Sequence, residues 1–135
     1  MSPELLHKAL TAQILEAFYT VHRSLGFGFL ERVYENALRL ELESRGLAVQ
    51  RQMPITVYYR GQEVGHYVAD LVVEEKVLVE IKAVENLTEA HRAQLLNYLH
   101  GTPIEVGLLL NFGPRPQVVR RILTNDRKPW LSKSS

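Results

Sequence analysis

Residues 104–112, IEVGLLLNF, form an almost unbroken apolar run. A run of this length and composition is typical of a β-strand that is buried on both of its faces. Gly101-Thr102-Pro103 stands directly before it and is expected to end the preceding helical segment. The sequence therefore predicts a central strand against which the other elements must pack.

Two helices are predicted in the N-terminal third of the chain. Apolar residues recur there at helical spacing, and Ser2 and Pro3 suit the start of the first helix. Gly26 and Gly28 then interrupt the pattern. A second helix is expected over about residues 30–45.

The pattern changes from helix to strand after the second helix. Residues 48–84 are rich in Val, Ile and Tyr, and two polar breaks divide them into three predicted strands. A third helix is expected over about 88–100, and a short fourth helix over 117–123, after the central strand. The residues of the third helix that are expected to face a core are Ala90, Ala93 and Leu96, with Leu99 as a further candidate.

Composition limits both the architecture and the chemistry. The chain has 135 residues, 46% of them hydrophobic, and we expect one domain over 1–124 followed by a basic polar tail at 125–135. It contains no cysteine, so a metal would have to bind to oxygen or imidazole ligands. No secretory signal and no apolar run long enough for a membrane span are present, so we expect no membrane partner and a cytoplasmic location.

The formal net charge of +1 hides an uneven distribution of charge. Residues 1–114 carry a net charge of −4, whereas residues 115–135 carry +5. A solvated terminal segment is the simpler explanation for the basic end. The alternative is an electrostatic arm that binds an anionic polymer.

The segment VADLVVEEKVLVEIKAV carries the most informative charges. If residues 74–76 form a three-residue hairpin loop, Asp70 lies directly opposite Glu80 on the neighbouring strand. Lys82 then points to the same face as Glu80, because side chains alternate along a strand. The other face would be filled by the apolar residues Leu71, Val73, Val77, Val79 and Ile81.

Two carboxylates at that distance repel each other unless a cation lies between them. Mg²⁺ and Mn²⁺ prefer oxygen ligands and often take one or two carboxylates together with water and substrate phosphates. The neighbouring Lys82 could orient an attacking water, which is the chemistry of phosphodiester hydrolysis. The competing interpretation is a solvated ion pair between Lys82 and Asp70 or Glu80 on an exposed strand face.

Further polar residues occur at fixed spacing on the predicted helices. In chain order, the motifs are G-x-x-E-x-x-Y at Gly28, Glu31 and Tyr34, D…E-x-K at Asp70, Glu80 and Lys82, Q-x-x-x-Y at Gln94 and Tyr98, and the strand ending LLLNFG. Together they resemble the GxxExxY-type family of the PD-(D/E)XK nuclease superfamily, which is related to the phage lambda exonuclease and RecB-like nucleases. The resemblance covers roughly residues 10–115.

The resemblance implies a fold and a metal site. The fold is a mixed α/β restriction-endonuclease-like core in the order ααβββαβ, with a four-stranded mixed sheet flanked by helices. The metal, Mg²⁺ or Mn²⁺, would be held by Asp70, Glu80 and the backbone carbonyl of Ile81. Glu31 would be a further ligand, either directly or through water.

The resemblance also implies roles for the remaining motif residues. Lys82 would position the attacking water, and Gln94 and Tyr98 would orient active-site groups or contact the nucleic-acid backbone. His22 and Tyr34 are the other candidates for contacts with substrate or for support of the site. The competing explanation for His22 is a partly buried histidine bonded to backbone near a helix end. For Tyr34 it is an amphipathic tyrosine packed in the core.

The function implied is a metal-dependent nuclease that hydrolyses phosphodiester bonds of nucleic acid, DNA rather than RNA, by a metal-activated water. The alternative is a catalytically silent nuclease-fold module that binds nucleic acid or a partner protein. A hydrolase of small phosphorylated molecules ranks last, since no Gly-rich phosphate loop is present. A homodimer or a partner protein would compensate for the weak overall positive charge.

Overall fold

The computed structural model describes residues 2–128. The helices and strands are α1 (Lys8–Leu25), α2 (Glu31–Ser44), β1 (Val49–Tyr59), β2 (Gln62–Val73), β3 (Val77–Lys82), α3 (Glu89–His100), β4 (Val106–Phe112) and β5 (Pro116–Ile122). Short 3₁₀ turns cover Pro3–Leu5 and Asn125–Arg127. Within this part of the chain no helix combines the length and the hydropathy needed to cross a membrane.

The strands form one mixed sheet in the order β1-β2-β3-β4-β5. All neighbours are antiparallel except β3 and β4, which run parallel and are connected through α3. The mixed α/β class and the mixed sheet are confirmed. The expectation of four strands is wrong, because the segment predicted as a short helix over 117–123 lies mainly in β5.

The fifth strand has a physical reason. Its β-branched residues Val118, Val119 and Ile122 fit a pleated surface at least as well as a helix. A turn at 113–115 brings it back along β4, from Phe112 opposite Pro116 to Val106 opposite Ile122. Pairing with β4 supplies hydrogen bonds that an isolated short helix could not, so the tertiary context decides.

Helices cover both faces of the sheet. One apolar cluster joins α1 and α2 to one face of β2, β3 and β4, and a second joins α3 to the other face. All seven residues of β4 are buried, as the apolar run predicts. The five residues expected on the apolar face of the β2–β3 hairpin all lie in the first cluster, which confirms that assignment.

Two helical details differ from expectation. The α-helix begins at Lys8 rather than near Pro3, because His7 has a left-handed backbone conformation with φ of 53°. On α3 the predicted core residues Ala90, Ala93 and Leu96 are exposed, whereas the further candidate Leu99 is buried together with Leu95 and Tyr98. The buried side of α3 thus includes Tyr98, whose burial depends on tertiary packing and does not follow from hydropathy alone.

The register of the β2–β3 hairpin is as predicted. Residues 74–76 form the loop, and Val73 lies opposite Val77, Val72 opposite Leu78 and Leu71 opposite Val79. Glu74 and Glu75 have φ values of 55° and 58°, which allow so tight a turn. The backbone ladder stops at Leu71 and Val79, one position before Asp70 and Glu80.

A buried asparagine fixes the segment that follows β3. Asn111 on β4 accepts a hydrogen bond from the Val84 N–H (2.9 Å) and donates one to the Val84 carbonyl (2.9 Å). Its amide also donates to Oε1 of Gln117, which accepts the Leu87 N–H as well. One side chain therefore joins β4, β5 and the chain leaving β3, and it is fully buried.

The first residues after the predicted domain are also held in place. Lys128 is buried, and its Nζ donates to the carbonyls of Thr102 and Ile104, both at 2.7 Å. Burial lowers the pKa of this lysine to about 8. The remainder of the predicted tail, residues 129–135, lies outside the described residues.

We predict that Asn111→Ala lowers the free energy of unfolding by about 2 to 4 kcal/mol, because it removes the partner of two part-buried backbone groups of Val84. Urea denaturation followed by circular dichroism measures the change. Asn86→Ala, an exposed asparagine in the same connection, is the matched control. Equal stability of the two variants would contradict the role of Asn111.

Candidate active site

Asp70 and Glu80, the carboxylate pair, are tied to each other's strand. The Asp70 N–H donates to Oε2 of Glu80 at 2.8 Å, and the Ile81 N–H donates to Oδ2 of Asp70 at 2.8 Å. The side chains thus replace the backbone ladder where β2 and β3 separate. Two acidic groups are thereby held close together at the end of a strand pair.

An irregularity in β2 places Asp70 at this separation. Ala69 and Val72 both lie in the α3-side cluster, although regular alternation would put them on opposite faces. On the neighbouring strand β1, Gln52 has φ of 51°. It lies between the pairs Arg51–Leu71 and Met53–Ala69 but is itself not paired with a residue of β2. The distortion at Gln52 and Asp70 therefore interrupts the alternation of β2 between Ala69 and Leu71.

Both members of the carboxylate pair resist ionisation. Burial, and then repulsion from Asp70, raise the pKa of Glu80 to about 8. Burial also raises the pKa of Asp70 to about 6, against the lowering effect of the Ile81 hydrogen bond. Raised pKa values at two neighbouring acidic groups indicate that the site lacks enough positive charge to balance both carboxylates in their ionised form.

Lys82 and Glu31 lie close to the carboxylate pair. Lys82 is half-buried on β3, and its charge lowers the pKa values of Asp70 and Glu80. It makes no ion pair within 4.0 Å to another described residue. Glu31 is exposed at the first position of α2, and its charge raises the pKa values of both carboxyl groups.

Helix α3 brings Gln94 and Tyr98 to one side of the sheet, one turn apart. Its start is fixed by mutual hydrogen bonds between Thr88 and His91. Tyr98 is buried against the ring of Tyr67, with centroids 5.3 Å apart. Burial and the charges of Glu80 and Asp70 raise the pKa of Tyr98 to about 12, so its hydroxyl stays protonated near the carboxylate pair. Gln94 is half-buried.

His22 and Tyr34 are bonded to backbone groups. The Tyr34 hydroxyl donates to the Gly26 carbonyl at 2.6 Å and accepts the Phe29 N–H at 3.3 Å. Nε2 of His22 lies 2.8 Å from the carbonyl oxygen of Gly113. Tyr34 therefore holds the loop that leads into Glu31, while His22 holds the turn after β4.

Sequence reasoning missed Glu35. It is buried on α2, and Gln52 Nε2 donates to both of its carboxylate oxygens at 3.0 Å. The charge of Glu35 raises the pKa of Asp70, and its effect is larger than the effect of the Glu31 charge. The available signal was its position four residues after Glu31, which puts both carboxylates on one helix face.

The donor set fits a hard divalent cation. Asp70, Glu80 and the Ile81 carbonyl offer only oxygen, and Glu31 and Glu35 add negative potential near them. Among residues 2–128 no three His, Asp or Glu side chains come together as a metal-holding group. The protein would therefore supply two carboxylates and leave other positions to water and phosphate, as Mg²⁺ sites commonly do.

The fold of this chain is similar to that of a solved protein structure. The chain is similar to the crystal structure of SSO0001, with a TM-score of 0.58 and 18% sequence identity over 77% of the chain. It covers 55% of the length of that protein, so it spans about half of it. At this identity the similarity concerns the fold alone. No curated protein matches the sequence.

The sequence itself matches a protein family. The match extends over residues 8–122, from the start of α1 to the end of β5, and so includes every residue of the candidate site. The chain belongs to the PD-(D/E)XK nuclease superfamily.

Proposed function

We propose that this protein is a Mg²⁺- or Mn²⁺-dependent nuclease that hydrolyses phosphodiester bonds of DNA. The observation that carries the proposal is the carboxylate pair, in which the buried Glu80 and the half-buried Asp70 are held together with Lys82 beside them. Membership of a nuclease superfamily supports the same chemistry. The order of Gly28, Glu31 and Tyr34 supports placement in the GxxExxY-type, lambda exonuclease and RecB-like group, with residues 1–124 as the nuclease domain.

We assign each residue a role. Asp70, Glu80 and the Ile81 carbonyl would hold the cation, with Glu31 contributing through water. When bound, such a cation polarises a phosphoryl oxygen and makes water a stronger nucleophile at neutral pH. Lys82 orients the attacking water with its ammonium group, and its partner strand β4 keeps it in position.

The other residues orient the site. The protonated hydroxyl of Tyr98 and the amide of Gln94 can donate hydrogen bonds to phosphate oxygens or to the carboxylate pair. Tyr34 fixes the approach to Glu31, and His22 fixes the turn after β4. These two residues are positioning residues, because their polar atoms are bonded to backbone.

We predict that Asp70→Asn, Glu80→Gln and Lys82→Ala each reduce cleavage by roughly 10²-fold or more, because each removes a group that holds the cation or orients the water. Linear, circular and single-stranded DNA, and RNA, are incubated with the protein in Mg²⁺, Mn²⁺ or EDTA. Products are resolved on denaturing gels. EDTA is expected to abolish cleavage by the parent protein.

Matched controls lie on the same hairpin. Glu75→Gln and Lys76→Ala change the same residue types in the exposed β2–β3 loop and should cleave like the parent. Full activity of Asp70→Asn and Lys82→Ala would contradict the assignment. Metal binding with DNA binding and no cleavage on any substrate would favour the alternative, a silent nucleic-acid-binding module.

We also predict that, without metal, stability falls as pH rises from about 4 to about 8. The ordinary pKa values of Asp70 and Glu80, 3.8 and 4.5, rise to about 6 and about 8 in the folded protein. The folded state therefore binds these protons more tightly than the unfolded chain, and it loses that advantage as they dissociate. In EDTA at pH 8, Asp70→Asn and Glu80→Gln should thus melt at a higher temperature than the parent.

The pH series distinguishes this effect from a general change in stability. The advantage of both variants should disappear near pH 4, and Glu75→Gln should show none at either pH. Mg²⁺ should raise the melting temperature of the parent at pH 8 and have little effect on Asp70→Asn. Lower or unchanged melting temperatures of both variants at pH 8 would show that the two carboxylates do not repel each other as described.

A further inference from the structure

A cleft of about 370 Å³ lies where the loop before α2 meets the segments that follow β3 and β4. It is lined by three segments, 27–30, 83–85 and 112–114, and is called here the aromatic cleft. Two of these segments continue directly from site residues, since Leu30 precedes Glu31 and Ala83 follows Lys82. Along the chain, the lining of the aromatic cleft therefore begins one residue from Glu31 and one residue from Lys82.

The floor of the aromatic cleft is rigid. Asn111 binds both backbone groups of Val84, and His22 lies at hydrogen-bond distance from the Gly113 carbonyl. A Cβ atom at Gly113 would lie 2.1 Å from the Val84 carbonyl oxygen, so only glycine allows the two segments to approach this closely. Such a floor needs no rearrangement before a ligand binds.

The rim of the aromatic cleft is apolar and exposed. Phe27 is 63% exposed and Leu30 81% exposed, and Phe29 is also exposed. The loop that carries them is nevertheless fixed, because the Tyr34 hydroxyl binds the Gly26 carbonyl and the Phe29 N–H. Large apolar side chains held outward on a fixed loop indicate a binding surface.

A series of aromatic rings leads from the core to this rim. Tyr34 stacks on Phe112 with centroids 4.5 Å apart and an interplanar angle of 13°. Phe29 meets Tyr34 edge-on at 6.0 Å and is the outermost ring of the series. A further flat ring bound at the rim would extend this arrangement.

We propose that the aromatic cleft binds an unpaired nucleobase of the substrate strand, next to the phosphate that is cleaved. The proposal rests on the proposed nuclease function and adds to it a preference for strands whose bases are unpaired near the site. Phe27 and Phe29 stack on the base, and Leu30 covers its edge. Stacking of this kind is tolerant of sequence, because every base has a flat apolar face.

The chemistry of the lining favours a base over a phosphate or a protein segment. Glu85 is the ionisable residue of the lining and would repel phosphate. Two exposed cations, Arg32 and Arg115, lie outside the lining but close to it in the chain, where they suit the flanking phosphates. The volume is that of a small-ligand pocket, whereas a protein interface needs a larger area.

The test compares strands that differ only in their bases. The proteins carry Lys82→Ala, which leaves the proposed cation ligands in place while the strand is cut far more slowly, and binding in Mg²⁺ is measured by fluorescence anisotropy. The two probes are a labelled oligothymidylate and an abasic oligonucleotide of equal length. Phe27→Ala and Leu30→Ala are each compared with Tyr58→Ala, an equally exposed aromatic residue on the β1–β2 hairpin.

If the aromatic cleft binds a base, removing a rim side chain should lower the affinity only for the probe that carries bases. Phe27→Ala should weaken oligothymidylate binding about tenfold and leave abasic binding unchanged, whereas Tyr58→Ala should change neither. Phe27→Trp keeps an aromatic ring at this position, so it should bind oligothymidylate more tightly than the abasic probe, unlike Phe27→Ala. Melting temperatures confirm that each variant is folded, as expected for side chains this exposed.

Other outcomes overturn the proposal. Equal binding of the two probes by the Lys82→Ala protein in Mg²⁺, or the absence of binding to both, excludes a base site. If parent cleavage is metal-dependent and Phe27→Ala binds both probes like the protein without that change, the base site fails while the nuclease function stands. If Phe27→Ala instead converts a dimer to a monomer in light scattering, with probe binding unchanged, the rim is an interface with a second copy.

Discussion

The rest of the candidate site depends on two hydrogen bonds that cross between β2 and β3. Each member of the carboxylate pair accepts a backbone N–H from the opposite strand, so the acidic groups are fixed by the strands themselves. Hydrogen bonds to the charged form favour ionisation, yet burial outweighs them and both pKa values rise. The geometry therefore holds a repulsion in place, and a divalent cation is the simplest means of relieving it.

The surrounding elements keep this repulsion from separating the strands. β3 is paired along its length with β4, and Asn111 holds the chain just beyond Lys82. On the other side, Gln52 binds the buried Glu35, which connects the distorted part of β1 to α2. The site thus lies where β2 and β3 separate, while their neighbours remain firmly joined. A rigid scaffold of this kind can hold like charges together at a cost in stability.

The local pattern in the sequence was enough to predict the hairpin, and tertiary context was needed for the rest. The three-residue loop and the apolar face of β2 and β3 follow from alternation, which has a fixed period. The break in that alternation at Asp70 depends on Gln52, a residue 18 positions away with no turn signal of its own. β5 was missed because Val118, Val119 and Ile122 fit either period, and only the free edge of β4 decides between them. Glu35 was missed because burial of a carboxylate depends on the partner it meets, and that partner is again Gln52.

The same fold separates charge from apolar surface around the proposed reaction. The first 114 residues carry a net charge of −4, so the net charge of that part of the chain does not favour binding of a polyanion. Part of the basic C-terminal segment is used within the fold, since Arg120 donates to the Leu6 carbonyl and Lys128 to the α3–β4 connection. Under the proposed function, the cation at the carboxylate pair and base stacking at the aromatic cleft add to the contacts that Arg32 and Arg115 offer to the phosphates. The cation and the stacked base would both act close to the scissile phosphate, and the cation is also needed for the hydrolysis itself. A chain built in this way would hold nucleic acid weakly until metal and strand are present together.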